Sequence, residues 1–375
     1  MKIAYHSDAF AGRTGYGLAR YSRELWRAIQ EQDRGVILCP FALRGAPHDD
    51  AGDGHKRWNG AVRPGMDGRL CIALWAVLRA PCIEHWVGDA DLVHSVELDY
   101  PVATRRPWIV TVHDLGPLTH PQYFAKARPW LTQRALRQAV DRAAFIVAVS
   151  AATAASVEAI AGMSLGDRLQ VVPEGVGDEF FELQDRACLA GLEDLPPDGV
   201  PYFLWTGSLN PRKNLATVVR AFEAVAAEIP HHLILAGGLG WDSRAALDRI
   251  AGSKCRERIH RPGFLTDGQL RALYQRASGF VYVSLMEGFG LPILEAMASG
   301  CPVITSNVSS MPEVAGDAAL LVDPRNCTEL GDAMRRIATD DALRAQLEAR
   351  GRDRAPRYRW QHCASRMIEL YRSAA

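Results

Sequence analysis

A chain of 375 residues is longer than one hydrophobic core usually organises, so two domains are expected. Its 48% hydrophobic and 23% charged residues are those of an ordinary globular protein and exclude extensive disorder. Lys+Arg and Asp+Glu balance at 43 each, which argues against a globally basic nucleic-acid binder.

Residues 1–8 form too short an apolar run for a signal peptide and read as a first strand at 3–6. A glycine loop, Arg13-Thr14-Gly15-Tyr16-Gly17, leads into a helix over 18–30 and a strand at 36–40. The apolar run 70–78 stops at Arg79, and no segment approaches the length needed to cross a bilayer. Asp89-Ala90-Asp91 has the form of a divalent-cation site, but it precedes a strand at 92–96 and so lies at that strand's N-terminal end. A solvated turn is the better reading. Strands follow at 109–113, 145–150 and 170–173, with helices over 127–144 and 151–161, the latter capped by Ser150.

Residues 183–200, with Leu195-Pro196-Pro197-Asp198-Gly199, are the linker candidate. Beyond it the design repeats: strands at 202–206, 232–236, 259–262, 279–283, 302–305 and 319–322, with helices over 215–227, 243–251, 267–277, 292–299 and 328–338. The Asn326 to Glu329 spacing predicts a capping box. An amphipathic helix over 360–371 follows the Arg354-Ala355-Pro356 break. Strands alternating with helices predict two doubly wound parallel sheets in tandem, with ligands at the C-terminal ends of their strands, facing a central cleft.

The eight cysteines are scattered without a CxxC pair, as reduced thiols of a cytoplasmic protein would be. The eleven histidines form no metal-binding motif, so no bound metal and no cofactor are expected. Between Tyr123 and Arg142, Lys126, Arg128, Arg134, Arg137 and Arg142 stand against the single acid Asp141, interleaved with Tyr123, Phe124, Trp130 and Leu131. That mixture suits the anionic inner face of the cell membrane; it equally suits a solvated helix face. Arg105-Arg106-Pro107-Trp108 would add to the patch if it lies on the same side.

Two stretches carry chemistry. Glu287-Gly288-Phe289-Gly290-Leu291-Pro292-Ile293-Leu294-Glu295 follows a strand and opens a helix. Its glycines admit a close backbone approach, and the unpaired N–H groups of the helix start favour a phosphate. The two glutamates flanking it suit sugar and ribose hydroxyls. Trp205-Thr206-Gly207-Ser208-Leu209-Asn210-Pro211-Arg212-Lys213-Asn214 ends a strand and presents adjacent cations suited to a diphosphate. His113 ends a strand in Thr111-Val112-His113-Asp114-Leu115, where Asp114 would either orient the ring or cap the loop. The glycine loop at 13–17 is not G-x-G-x-x-G, and the second strand lacks a clear acidic ribose ligand, which counts against a dinucleotide dehydrogenase.

The E-G-F-G-L-P-x-L-E and G-S-L-x-x-R-K-N-L runs resemble retaining glycosyltransferase family 4 over most of the chain, more strongly in its C-terminal half. The resemblance implies a GT-B fold: an acceptor-binding Rossmann-like domain over 1–185, a donor-binding one over 198–357, and a last helix, 358–375, returning to the first. It implies catalytic roles for His113, Arg212, Lys213 and Glu287. Donor contacts would come from Gly15, Gly17, Ser208, Phe264, Leu265, Gly288, Phe289, Gly290, Leu291 and Glu295. Glu174 departs from the pattern, standing where the family usually shows Asn. The implied reaction moves a hexose from a nucleotide-diphosphate sugar, with a lean to GDP-mannose, onto a saccharide or lipid-linked saccharide of the cell surface, without metal. The 113–123 segment is similar to bacterial mannosyl- and rhamnosyl-type transferases. A nucleotide-sugar epimerase or a disaccharide phosphorylase of the same fold is the alternative.

Overall fold

The computed structural model describes residues 1–11, 16–43, 61–124, 128–240 and 242–375. The chain divides into two compact units, Met1–Gly175 with Trp360–Ala375, and Val176–Arg359.

The first unit runs β1 (Lys2–His6), α1 (Tyr16–Gln32), β2 (Ile37–Phe41), α2 (Gly68–Val77), α3 (Glu84–Val87), β3 (Leu92–Ser95), β4 (Trp108–Val112), α4 (Gly116–Thr119), α5 (Pro129–Arg142), β5 (Phe145–Ala148), α6 (Ala151–Ala161) and β6 (Leu169–Val171). Its six strands pair in parallel in the order β2-β1-β3-β4-β5-β6. Every residue of β3 and β4 is buried, because helices cover both faces and the strands are near-continuous apolar runs. Ser150 caps α6 as expected, its hydroxyl accepting from the Thr153 N–H at 3.0 Å, and Gly162 ends the helix in the left-handed region (φ 70°).

The terminal helix Trp360–Ala374 belongs to this unit and packs along α1. Gln32 Nε2 donates to the Gln361 carbonyl (2.7 Å), Ser365 Oγ to Gln32 Oε1 (2.9 Å) and Arg372 to Asp33 (2.7 Å). The Tyr371 hydroxyl lies 2.7 Å from Nδ1 of His94, whose Nε2 is 2.9 Å from the Thr111 hydroxyl. Burial holds His94 down to about 3, so it is a neutral core histidine.

The second unit runs β7 (Tyr202–Thr206), α7 (Leu215–Val225), β8 (His232–Ala236), α8 (Arg244–Ala251), β9 (Ile259–Gly263), α9 (Asp267–Tyr274), β10 (Gly279–Tyr282), α10 (Leu291–Ala298), β11 (Val303–Ser306), α11 (Met311–Ala315), β12 (Ala319–Val322), α12 (Cys327–Thr339) and α13 (Asp341–Arg354). Its parallel sheet has the order β12-β11-β10-β7-β8-β9. The strand order reverses between β7 and β10, the position where open α/β sheets take their ligands. Val218, Val219, Phe222 and Val225 of α7 are buried against this sheet, each worth roughly 1.5–3 kcal/mol.

Two expectations are corrected. The units divide at Gly175, ahead of residues 183–200, which are not a free linker but pack on the second unit. Gln184 N–H donates to Gln275 (2.8 Å), and Asp194 accepts from the Arg261 N–H (2.7 Å). The 326–329 capping box is half formed: Asn326 accepts from the Glu329 N–H, but the Glu329 carboxylate turns to the Asp323 N–H. The complete box is Thr266–Gln269, at the start of α9. The Asp89-Ala90-Asp91 turn is solvated, as expected: both carboxylates are exposed ahead of β3, Asp91 accepting from the Lys2 N–H at 2.8 Å and Asp89 lying 3.7 Å from Arg106.

Candidate active site

In the second unit the site forms on the loops after β7 and β10, two neighbouring parallel strands. Gly207 leaves β7 with φ 145°, and Asn210 caps the turn that carries Arg212 and Lys213. Asn214 follows in the left-handed region (φ 58°). Its amide pins it there by donating to the carbonyls of Val283 (3.0 Å) and Pro324 (2.7 Å). The two loops are tied through their backbones, Leu285 N–H to the Arg212 carbonyl at 2.9 Å.

Glu287 is the centre of this arrangement. Its carboxylate accepts from Lys213 Nζ at 2.8 Å and is paired through its other oxygen with the Arg212 guanidinium, which also donates to the Met286 carbonyl at 2.8 Å. Burial alone would raise the Glu287 carboxyl; Arg212 and Lys213 override it and hold it down at about 2. The triad therefore carries one net positive charge. Tyr282, at the end of β10, hydrogen-bonds Lys213 Nζ, which sits 4.6 Å from the ring centroid.

The loop after β11 braces the same segment. Ser310 Oγ donates to the carbonyls of Glu287 (3.0 Å) and Phe289 (2.6 Å), and Ser309, at φ 59°, lies against the Glu287 backbone. Gly290 adopts φ 117° and opens α10, with Leu291 and Pro292 in its first turn. Gly288 and Phe289 stand in the same loop. Glu295 is buried inside α10 and accepts from the Tyr274 hydroxyl at 3.3 Å, which in turn lies 3.3 Å from Thr206 Oγ1. Ser208 is exposed, its hydroxyl accepting from Asn210 Nδ2. Phe264 is half exposed after β9, at the sheet's edge, and Leu265 beside it is buried.

In the first unit His113 lies just past β4. Its Nδ1 is 2.8 Å from Glu174 Oε1 and its Nε2 is 2.9 Å from the Val96 carbonyl, so both ring nitrogens are committed to the protein. Tyr21 stands edge-on at 4.5 Å. Asp114 turns away and caps the loop, accepting from the Gly116 N–H at 2.8 Å. Glu174, the departure from the family pattern, is thus the partner of His113. Gly17 is exposed at the start of α1; Gly15 lies outside the described residues. This sheet reverses its order between β1 and β3, where Asp8 N–H donates to Glu97 (2.6 Å) and Tyr100 donates to Asp8 (2.7 Å).

Sequence reasoning had missed Tyr282, Ser309, Ser310 and the Asp8–Glu97 pair. Tyr282 has a sequence signal, as the last polar-tipped residue of a buried strand. The two serines have none, because they stand in the loop after β11, outside both motif runs.

The comparisons with known proteins match this geometry. Residues 193–354 match "Glycosyl transferases group 1" and residues 16–180 match "Glycosyltransferase Family 4". The O-antigen chain mannosyltransferase B of Escherichia coli is 31% identical over 70% of this chain and 70% of its own length. The chain belongs to glycosyltransferase family 4. A further relative of this family 4 glycosyltransferase is the D-inositol 3-phosphate glycosyltransferase of Nocardioides sp., 27% identical over 96% of this chain and 85% of its own. Among solved structures, sucrose-phosphate synthase from Thermosynechococcus elongatus superposes with TM-score 0.78 at 22% identity, covering 100% of this chain and 98% of that one. HepE of Anabaena, in complex with UDP-glucose, gives 0.73 at 17%, covering 100% of both. The fold of the family 4 enzyme is accordingly GT-B.

Proposed function

We propose that this glycosyltransferase moves a mannosyl or related hexosyl group from a nucleotide-diphosphate sugar, GDP-mannose in the first instance, to a saccharide or lipid-linked saccharide acceptor in cell-surface polysaccharide synthesis. It acts at the inner face of the cell membrane, with retention of configuration and without metal. The observation that carries the reading is the Arg212–Lys213–Glu287 triad at the reversal point of the second sheet. The mannosyltransferase relative supports the sugar.

Arg212 and Lys213 bind the diphosphate and stabilise it as it leaves, the task a divalent cation performs elsewhere. Glu287 orients the donor sugar through its hydroxyls. A carboxylate held by two cations is a poor nucleophile, which favours displacement on the donor's front face. The anomeric C–O bond to phosphate breaks as the acceptor oxygen bonds the same carbon. The acceptor's proton passes to the departing phosphate oxygen. The N–H groups of 288–291 hold the phosphate, Glu295 the ribose, and Ser208, Phe264 and Leu265 the nucleoside. For His113, Gly15 and Gly17 of the first unit, roles toward the sugar and acceptor rest on the family resemblance, the His113 ring nitrogens being held by Glu174 and Val96.

The experiment is turnover of GDP-, UDP-, ADP- and dTDP-sugars with a lipid-linked acceptor, with the anomeric configuration of the product read by NMR. An α-linked product from an α-linked donor supports retention; inversion defeats it. An epimerised donor in the absence of acceptor would favour the epimerase, and phosphate-dependent cleavage of a glycoside the phosphorylase.

A further inference from the structure

From Leu70 to Val77, helix α2 is apolar around its whole circumference. Cys71, Ile72, Trp75 and Ala76 face the core of the first unit, yet Leu70 is 53% exposed, Val77 73% and Leu78, just past the helix, 66%. Leu70, Ala73 and Val77 recur at i, i+3 and i+7, so they form one exposed stripe. A helix whose outer face meets only water carries polar residues there; this one does not.

The neighbouring helix supplies the rest of the surface. On α5, Trp130 is 61% exposed, and Arg134 and Arg137 follow at i+4 and i+7 on the same face. Arg134 Nε donates to the Ala76 carbonyl at 2.5 Å, which sets α5 beside the end of α2 that carries Val77 and Leu78. Arg69 and Arg79 are exposed at the two ends of the stripe. The nearest acid on α2, Asp67, is engaged as its cap, accepting from the N–H groups of Arg69 and Leu70.

We propose that this combined face, the α2 stripe with Trp130, Arg134 and Arg137, is the surface by which the first unit docks on an anionic lipid bilayer. The α2 stripe enters the acyl boundary and the arginines meet the head groups. Apolar residues bordered by arginine and a tryptophan are the composition of an interfacial surface. Charge selects this occupant over a second copy of the chain, because a two-fold contact through this face would set arginines against arginines. The inference deepens, and rests on, the reading of the enzyme as peripheral to the membrane. It moves the apolar part of the contact from the 123–142 segment to α2, since Leu131 of that segment is buried in the core and Tyr123 and Phe124 are half-buried.

The test is co-sedimentation of the full chain with phosphatidylcholine vesicles, with and without phosphatidylglycerol, at low and high salt. The wild type is expected to bind the anionic vesicles at low salt. R134E/R137E should weaken binding by at least about tenfold, each cation near such a surface counting about fivefold. V77D/L78D should weaken it by a similar or larger factor while circular dichroism and thermal unfolding stay unchanged. Quenching of tryptophan emission by brominated lipid should fall in W130F. If R134E/R137E lose binding and V77D/L78D do not, the α2 assignment is overturned and the electrostatic contact stands. If the wild type ignores lipid charge, the membrane reading falls with it. If V77D/L78D instead abolish a dimer seen in sedimentation velocity, the occupant is a second copy.

Discussion

The buried Glu174 and the half-buried His113 form a pair in which the ring has an acceptor at each nitrogen, the carboxylate at 2.8 Å and the Val96 carbonyl at 2.9 Å. Two acceptors are satisfied together only by the doubly protonated ring. Burial works against that charge, but the hydrogen bond and charge of Glu174, with Val96 and Asp114, raise His113 above its ordinary value. His94, Tyr21 and Cys363 also lie near, and neither His94 nor the buried Cys363 thiol, pushed up by burial and Glu174, is charged near neutrality. A raised folded value contributes stability that is whole below the unfolded value and fades as pH rises through the folded one. Glu174→Gln should therefore lower the His113 titration seen by NMR. Its stability deficit relative to wild type should be largest in mild acid and shrink at alkaline pH; a deficit that ignores pH would show the pair to be uncharged.

Arg212→Ala and Lys213→Ala should each lower kcat by about two to three orders of magnitude, the scale of losing one donor that stabilises developing charge. Steady-state kinetics on the chosen donor measures this. Near-normal turnover in either variant removes that residue from the mechanism.

Glu287→Gln separates two roles of one side chain. Without the carboxylate, Arg212 and Lys213 lose an internal counter-ion, and the triad's net charge rises from one to two. Nucleoside diphosphate should bind several-fold more tightly while kcat falls by about a hundredfold. Calorimetry of product binding beside kinetics distinguishes this from simple disruption, which would weaken both. In wild type the depressed Glu287 carboxyl, at about 2, adds stability that is present above the ordinary glutamate range and is lost as pH falls from there toward that value.

Activity should survive EDTA, because two fixed cations supply the charge. Full loss on chelation, restored by Mg²⁺ or Mn²⁺, would require a metal site of a kind the triad does not provide.

Gly237→Ala tests the scaffold under the site. Gly237 has φ 134°, and an added Cβ would stand 2.1 Å from the Gly207 carbonyl oxygen, at the exit of β7. Strain and displacement together should cost about 2–4 kcal/mol and lower the melting temperature by several degrees. An unchanged melting temperature would mean the two loops move apart at little cost.

The strands were legible because parallel strands covered on both faces leave unbroken apolar runs; β7, β8 and β12 begin and end where the sequence places them. Helix α13 was not legible, since its exposed, charged sequence shows little apolar periodicity and only Leu347 and Gly351 are buried. In the site, Arg212, Lys213 and Glu287 were marked by type and spacing, but their convergence on one carboxylate depends on β7 and β10 being neighbours, which no local pattern states. Glu174 was invisible as a partner for the same reason: it is sixty-one residues from His113 in sequence.

The terminal helix gives the molecule an order of assembly. During synthesis, residues 360–374 leave the ribosome only after all of the second unit, which can therefore fold while the first is still incomplete. Until then α1 lacks its covering helix, and the cavity meant for the fully buried Tyr371 leaves His94 without one of its two partners. A nascent chain stalled within the second unit would thus expose the face of α1 to chaperones and proteases. A chain cut short before Trp360 would carry a complete second unit beside a first unit that lacks its last helix.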